Sequence, residues 1–483
     1  MGKVLIEKLL YSCTNLKRIY ILLRSKKGVS PEDRLQALYS SICFTRLRKE
    51  RPGAFESKVF LIPGDVAELG LGISEQDKAK LVNETNIIFH VAASVKFDDP
   101  LTYAVKLNLV ATREAVSLAK EVKQLDAFVH VSTSYLNTNR EAIDEVIYPP
   151  SANWREVIEI CENVDENTIR TLTPKFLGVL PNTYVFTKQM AEHMVYEQRG
   201  KLPIVIIRPS VIVASVAEPV IGWLETFNGP NGVCVAVGKG IIRVLYFKPD
   251  CNLDYVPVDI VIRHCITISW LRGTRKLEPT DEIPVYHCCA GNLINISLSE
   301  VINVGLASHK RPLDNAIWNI NCHETSSKFM YSFWFFFLQL LPALFIDTIL
   351  RIFGKKPILW KIQRKIYTAH MALEYFMTQR WNFINKNFLD ARSCIKAEDK
   401  EQFSYNFEDQ DVMEYFQNAF YGGRKYLMHE KDEDLPKARA HFWRLYYLDK
   451  AIKISFWCYV AWKIINMNFV VNSYNYIYDW IST

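Results

Sequence analysis

The chain has no C-x-x-C pair among its 11 cysteines, and only Cys288 and Cys289 are adjacent. That scatter points to neither a zinc site nor a disulfide framework, and reduced thiols facing the cytosol are the default. No charged-then-apolar leader opens the sequence, and Ile6 stands where myristoylation of Gly2 would need Ser or Thr. A dense basic stripe is also lacking. The formal charge is +6 over 483 residues, which suits an anionic cofactor or a membrane surface and argues against nucleic acid. The glycine-rich stretch 222–240 does not match the G-x-x-x-x-G-K-[ST] spacing of a phosphate loop, so a substrate-side loop is the better reading there.

What is abundant is apolar material. Hydrophobic residues make up 49% and aromatics 13%, enough for more than one packed unit and for some membrane contact. Met1 to Cys13 has helical periodicity, and 18–24 follows as a buried-type strand. The helix therefore comes first, and the strand expected before it, with its glycine-rich turn, is absent; Gly2 alone remains of that turn. Further strands are expected at 57–63, 86–91, 126–131 and 202–208, alternating with helices at 31–50 and 101–122. This alternation predicts an α/β fold, a doubly wound parallel sheet missing its first strand.

Two motifs carry chemistry. Tyr184 and Lys188 lie one turn apart if 182–199 is helical, so both point into one site. An ammonium beside a phenol stabilises the phenolate and makes the phenol a better acid. A surface helix is the competing reading of that pair alone. Upstream, the buried-type strand 127–131 runs into Ser132, Thr133 and Ser134. A strand ending in hydroxyls, followed later by Tyr-x-x-x-Lys, is the order of the short-chain dehydrogenase/reductase superfamily. Arg24, at the end of the second strand of such a fold, stands where a cationic side chain pairs with the 2′-phosphate of NADPH, with a solvated basic loop as the alternative. Asp65 and Val66 follow the third strand, and Ala92 and Ala93 are small enough for close approach to a dinucleotide. Asp259 is expected to N-cap an apolar helix.

After Arg311 the character changes. Residues 329–350 are almost uniformly apolar, long enough for a bilayer crossing of about 20 residues, though Asp347 is costly in lipid. Residues 361–386 read as a surface or core helix, and 451–471 as a second apolar candidate weakened by Lys453 and Lys463.

Taken together, the sequence resembles the fatty acyl-CoA reductases of eukaryotes, notably the insect type. The resemblance rests on Gly2-Lys3-Val4-Leu5, the stretch from His90 to Asp98, Val129-His130-Val131-Ser132-Thr133, Tyr184-Val185-Phe186-Thr187-Lys188, Arg208-Pro209-Ser210, Asn228-Gly229-Pro230 and Val256-Pro257-Val258-Asp259. It implies a Rossmann-type reductase domain over 1–310, a membrane segment at 329–350, a helical carboxy-terminal domain over 351–450 and a second membrane segment at 451–471. It also implies reduction of a long-chain acyl-CoA to a primary alcohol with NADPH, by way of a bound aldehyde. Thr133, Tyr184 and Lys188 would be catalytic, with Ser132 the next choice after Thr133. Gly2, Arg24, Asp65, Val66, Ala92, Ala93, Asn108, Tyr184, Lys188 and Pro209 would contact the cofactor, and no metal is implied. The family works at endoplasmic reticulum or peroxisomal membranes with its reductase domain in the cytosol. Because the glycine-rich turn is absent, the chain as written is expected to bind NADPH poorly, or its product to extend upstream. A hydroxysteroid-type dehydrogenase and a catalytically impaired membrane partner are the competing readings.

Overall fold

Runs rich in valine, isoleucine and phenylalanine favour extended backbone, and in the computed structural model they form the centre of the fold. Described are residues 1–249, 251–252, 254–274, 282–291, 293–294, 296–306, 311–466, 474, 477–478 and 481. β1 (Ile19–Leu23) pairs in parallel with β2 (Val59–Pro63). The strands β3 (Ile87–His90), β4 (Ala127–Val131), β5 (Ile204–Pro209) and β6 (Val285–Cys288) form a separate parallel ladder in the order β6-β5-β4-β3. β4 and β5 are buried along their whole length, as strands covered on both faces must be. β1 is only half-buried, and β3 exposes Ile87. A doubly wound sheet of order 3-2-1-4-5-6 has its first strand between the second and the fourth. Here β1 and β3 share no ladder among the described residues. Side chains join them instead, since Ile19, Ile21 and Phe89 enter one apolar cluster with α1 (Gly2–Ser12).

Period-two alternation places Phe128, Ile204 and Ile206 on one face of the ladder and Val129, Val205 and Ile207 on the other. The first face is covered by α2, a helix over 101–121 with a π turn at Val105–Val110, and by the end of α3 (Thr183–Tyr196). The second is covered by residues of α5 (Val258–Gly273) together with Phe388, Tyr405 and Phe407. Residues 382–407 thus return from the carboxy-terminal part to the core around the parallel ladder, and Asn382–Phe383 pairs with Ala142–Ile143.

Several expected elements differ. The helix expected over 31–50 is broken into Pro31–Tyr39, a 3-10 turn at Ile42–Phe44 and Thr45–Glu50. Between the two motifs, residues 137–180, an acidic stretch with three prolines, contain the helices Trp154–Asn163 and Glu166–Leu177, capped by the side chains of Asn153 and Asp165. The glycine-rich stretch contains a helix, α4 (Pro230–Gly238), started by a proline in its first turn. Asp259 does not cap α5, whose N-cap is Pro257. Its buried carboxylate instead accepts from the backbone N–H groups of Val216, Ala217 and Glu218 at 3.0, 2.9 and 3.0 Å.

Among the described residues, one helix, α6 (Lys328–Ile352), is long and apolar enough to cross a bilayer; 22% of its most apolar window is buried. The acid inside it has a local explanation. Asp347 is buried and accepts from the N–H groups of Ile358, Leu359 and Trp360 at 3.0, 3.0 and 2.8 Å, capping the start of α7 (Leu359–Met377). α8 (Val412–Gly422) and α9 (Leu435–Ile465) follow. The second apolar candidate begins within α9, which exposes Ile454, Phe456 and Trp457; its last residues, 467–471, lie outside the described residues.

Arg208 of β5 is fully buried, and its Nε and Nη2 donate to the two carboxylate oxygens of Glu192 on α3 at 2.8 and 2.6 Å. The guanidinium also donates to the carbonyls of Asp144 and Val146 at 3.2 and 2.8 Å. Removing one partner of such a pair strands a buried charge, at a cost of about 3–5 kcal/mol. Glu192→Leu is therefore expected to lower the unfolding free energy by about 3 kcal/mol or more in a urea titration. A loss under about 1 kcal/mol would show that the pair does not hold α3 to the sheet.

Candidate active site

The strands end on one edge, where a doubly wound sheet binds its ligands. Arg24 follows β1, Asp65 and Val66 follow β2, and Ala92 and Ala93 follow β3. Thr133 lies just past β4, and Pro209 closes β5. The three hydroxyls after β4 have different fates. The Ser132 N–H continues the ladder to the Ile207 carbonyl at 2.7 Å, and its buried Oγ has no partner among the described residues. Ser134 Oγ donates to the Arg208 carbonyl at 2.7 Å, so that hydroxyl is occupied. Thr133 lines the cavity beside the Tyr184 phenol, its Oγ1 accepting from the Tyr135 N–H at 3.3 Å.

Tyr184 is brought there by the start of α3. Asn182 Oδ1 accepts from the Val185 N–H at 2.9 Å, capping the helix, and Thr183 Oγ1 donates to the Asp99 carbonyl at 2.9 Å. Burial pushes the Tyr184 phenol up to about 12, with the neighbouring Thr133 hydroxyl pulling the other way. Lys188 is one turn further on and also buried. Its Nζ donates to the Val131 carbonyl at 2.8 Å, and burial lowers the ammonium to about 8 against the opposing pull of Glu192. Behind it, His90 and His130 stack at 5.4 Å on β3 and β4; burial holds His90 near 3 and His130 well below the usual imidazole range, so both are neutral.

The remaining expected cofactor residues divide. Gly2 lines the same cavity as Thr133 and Tyr184. Arg24 is paired with Asp65, Nη1 to Oδ2 at 2.9 Å. The Asn108 side chain is occupied within the protein: it accepts from the Ser94 N–H at 2.8 Å and donates to the Ser94 carbonyl and to Thr187 Oγ1 at 3.2 and 3.0 Å. It fixes the 94 turn to α3. The donor set fits the reactive end of a nicotinamide dinucleotide. A phenol and an ammonium one turn apart stand with an alcohol, and Asn182 Nδ2, two residues before Tyr184, is buried without a partner among the described residues.

The cavity has a volume of about 2150 Å³, more than twice the ~1,000 Å³ upper range of ordinary small-molecule pockets. From Thr133 and Tyr184 it extends between α4, Leu298–Leu306, α7 and α8. Sequence reading missed the ring wall around the phenol. Phe97 lies 5.7 Å from the Tyr184 ring, and Phe376 of α7 lies 5.1 Å from Phe97 and 5.4 Å from Tyr135. No local pattern could link Phe376 to Tyr184. Asp254 was missed too; it lines the cavity, accepts from the Ala290 and Gly291 N–H groups, and is pushed by burial up to about 6.

Parallel strand ends carrying this Thr, Tyr and Lys define a nicotinamide-dependent reductase of the short-chain dehydrogenase/reductase type. Profiles of the male sterility protein family match residues 1–265, as its NAD-binding part, and residues 338–430. The chain belongs to the fatty acyl-CoA reductase family: it is 37% identical to fatty acyl-CoA reductase 1 of Mus musculus over 92% of this chain and 86% of that protein. Fatty acyl-CoA reductase 1 of Xenopus laevis is 38% identical over the same shares, and fatty acyl-CoA reductase 2 of Bos taurus 33% over 96% and 90%. The fold is shared with the terminal R domain of the myxalamid PKS-NRPS pathway, at a TM-score of 0.58 and 18% identity over 87% of each chain. It is shared also with the reductase domain of a nonribosomal peptide synthetase from Mycobacterium tuberculosis, at 0.56 and 16% over 87% and 88%.

The Lys188 amine titrates near 10.5 when free and near 8 in the fold. Between those values the unfolded chain holds the extra proton, so stability from this group rises with pH from about 8 to 10.5, by on the order of 3 kcal/mol. Urea unfolding across that range is expected to lose this rise in Lys188→Met. An unchanged slope would mean that the amine is not desolvated.

Proposed function

We propose that the chain reduces a long-chain fatty acyl-CoA to the primary alcohol in two hydride steps, consuming two NADPH and keeping the aldehyde in the cavity between them. The observation that carries this reading is Thr133 and Tyr184 side by side at one end of a cavity whose far walls include the apolar stretches α4 and Leu298–Leu306. When bound, the nicotinamide supplies the hydride. Thr133 and Tyr184 donate hydrogen bonds to the carbonyl oxygen as charge develops there. Collapse of the tetrahedral adduct breaks the C–S bond and expels the CoA thiolate, leaving the aldehyde. In the second step Tyr184 gives its proton to the alkoxide oxygen. A phenol near 12 is fully protonated at neutral pH, so it stands ready as the acid. Lys188, near 8, has the pKa suited to returning that proton.

The preference for NADPH over NADH rests on Arg24, whose ion pair with Asp65 holds the guanidinium at the end of β1. The exposed apolar surface of α6 supports delivery of substrate from a bilayer, and we place the protein at an endoplasmic reticulum or peroxisomal membrane with this domain on the cytosolic side.

Purified protein given palmitoyl-CoA should oxidise two NADPH per hexadecanol formed, followed by absorbance and gas chromatography. Turnover of a hydroxysteroid in place of the thioester would overturn the reading. Tyr184→Phe is expected to lower kcat by about 10²–10⁴-fold with KM little changed. Separately, Arg24→Ala should raise KM for NADPH about ten-fold and leave KM for NADH alone; equal effects on both cofactors would exclude Arg24 from 2′-phosphate recognition.

A further inference from the structure

One face of α7 is not used by the chemistry above. Lys361, Lys365, Thr368, Ala372 and Phe376 follow one another at three- and four-residue steps, so they share a helix face, and all five line the cavity. The face is graded. At one end are Lys361 and Lys365, with Arg364 on the same cavity wall. In the middle are the small side chains of Thr368, Ala369 and Ala372. At the other end is Phe376, in the ring wall around the phenol. At a rise of ~1.5 Å per residue, the cations stand roughly 20 Å from the reacting end.

The three cations form no ion pair among the described residues, although acids pair with cations elsewhere along the carboxy-terminal part, as in Lys328–Glu374 at 2.8 Å. Nor does the helix end itself take up an anion, since Asp347 already occupies its first N–H groups. Unpaired lysines with a neighbouring arginine recognise phosphate oxygens. The small neutral side chains that lead from them toward Tyr184 suit a pantetheine arm.

We infer that this face of α7 is the track for the CoA half of the substrate: Lys361, Arg364 and Lys365 hold the phosphates of the 3′-phosphoadenosine diphosphate, and Thr368 to Ala372 floor the pantetheine arm. The inference rests on the acyl-CoA reading. It extends the site from the reacting carbonyl to the far end of the leaving group. The apolar walls of α4 and Leu298–Leu306 are left for the acyl chain.

The test uses the whole chain with Lys361→Glu and Lys365→Glu combined. With palmitoyl-CoA the double variant should show a KM raised at least ten-fold, while the KM for hexadecanal, which carries no CoA, is unchanged. Wild-type protein should bind CoA alone by calorimetry, more weakly at high salt, and the variant should lose that binding. A variant whose KM rises equally for thioester and aldehyde overturns the assignment. So does wild-type protein that reduces palmitoyl-CoA yet shows no variant effect. Sedimentation with phosphatidylcholine vesicles containing phosphatidylserine separates the other source of phosphate: lost vesicle binding with unchanged KM would assign the cations to lipid headgroups and overturn the CoA track. Wild-type protein that binds CoA but reduces nothing would refute the reductase reading while leaving the track standing.

Discussion

The buried pair between Arg208 and Glu192 is the constraint on which the site geometry rests. α3 carries Tyr184 and Lys188, and its far turn is tied to β5 by two charge-assisted bonds between buried groups. The same guanidinium holds the backbone at Asp144 and Val146, and the Arg208 carbonyl receives Ser134. One residue therefore fixes the helix with the phenol, the turn after β4 with Thr133, and the start of the long excursion. Apolar packing alone would hold α3 on the sheet but would not set its rotation as tightly.

Burial then does opposite things to the phenol and the amine. It raises the phenol to about 12 and lowers the ammonium to about 8, because in each case the charged form loses water. The two values, nearly equal for the free side chains at 10.0 and 10.5, are thereby driven apart. Lys188 bonds to the Val131 carbonyl, at the end of the strand that presents Thr133. Its position is thus coupled to the strand end as well as to its own helix, and a shift of β4 would displace alcohol and amine together.

How much of this could be read beforehand depends on how local the signal was. Thr133 and Tyr184 were legible because a strand end and a four-residue helical spacing are short-range patterns. Asp259, read from sequence as a helix N-cap, and Asp347, read as an acid costly in lipid, have one shared explanation: each satisfies its carboxylate with backbone N–H groups of a different segment. Asp259 does so some forty residues away, as the 3.0 Å bond to the Val216 N–H records. The helices at Trp154–Asn163 and Glu166–Leu177 carried a local signal in their caps, Asn153 with Glu156 and then Asp165, which acidic and proline-rich flanks obscured. Phe376 had no such signal, and neither did the return of Phe388 and Tyr405 to the core. These are contacts between distant parts of the chain, set by packing and not by propensity.

That return has a functional consequence. The wall of the cavity is shared: the end of β4 and the start of α3 supply Thr133 and Tyr184, while α7 and α8 supply much of the enclosure. α7 is pinned at its start by Asp347, and just past its end Trp381 Nε1 donates to the Thr138 carbonyl at 2.9 Å, in the turn after β4. The carboxy-terminal helices are therefore no appendage that holds the enzyme near lipid. On the reading proposed above, chemistry resides at the strand ends and substrate choice in the helices, so relatives with the same Thr, Tyr and Lys can differ in chain length without any change at the reacting carbonyl.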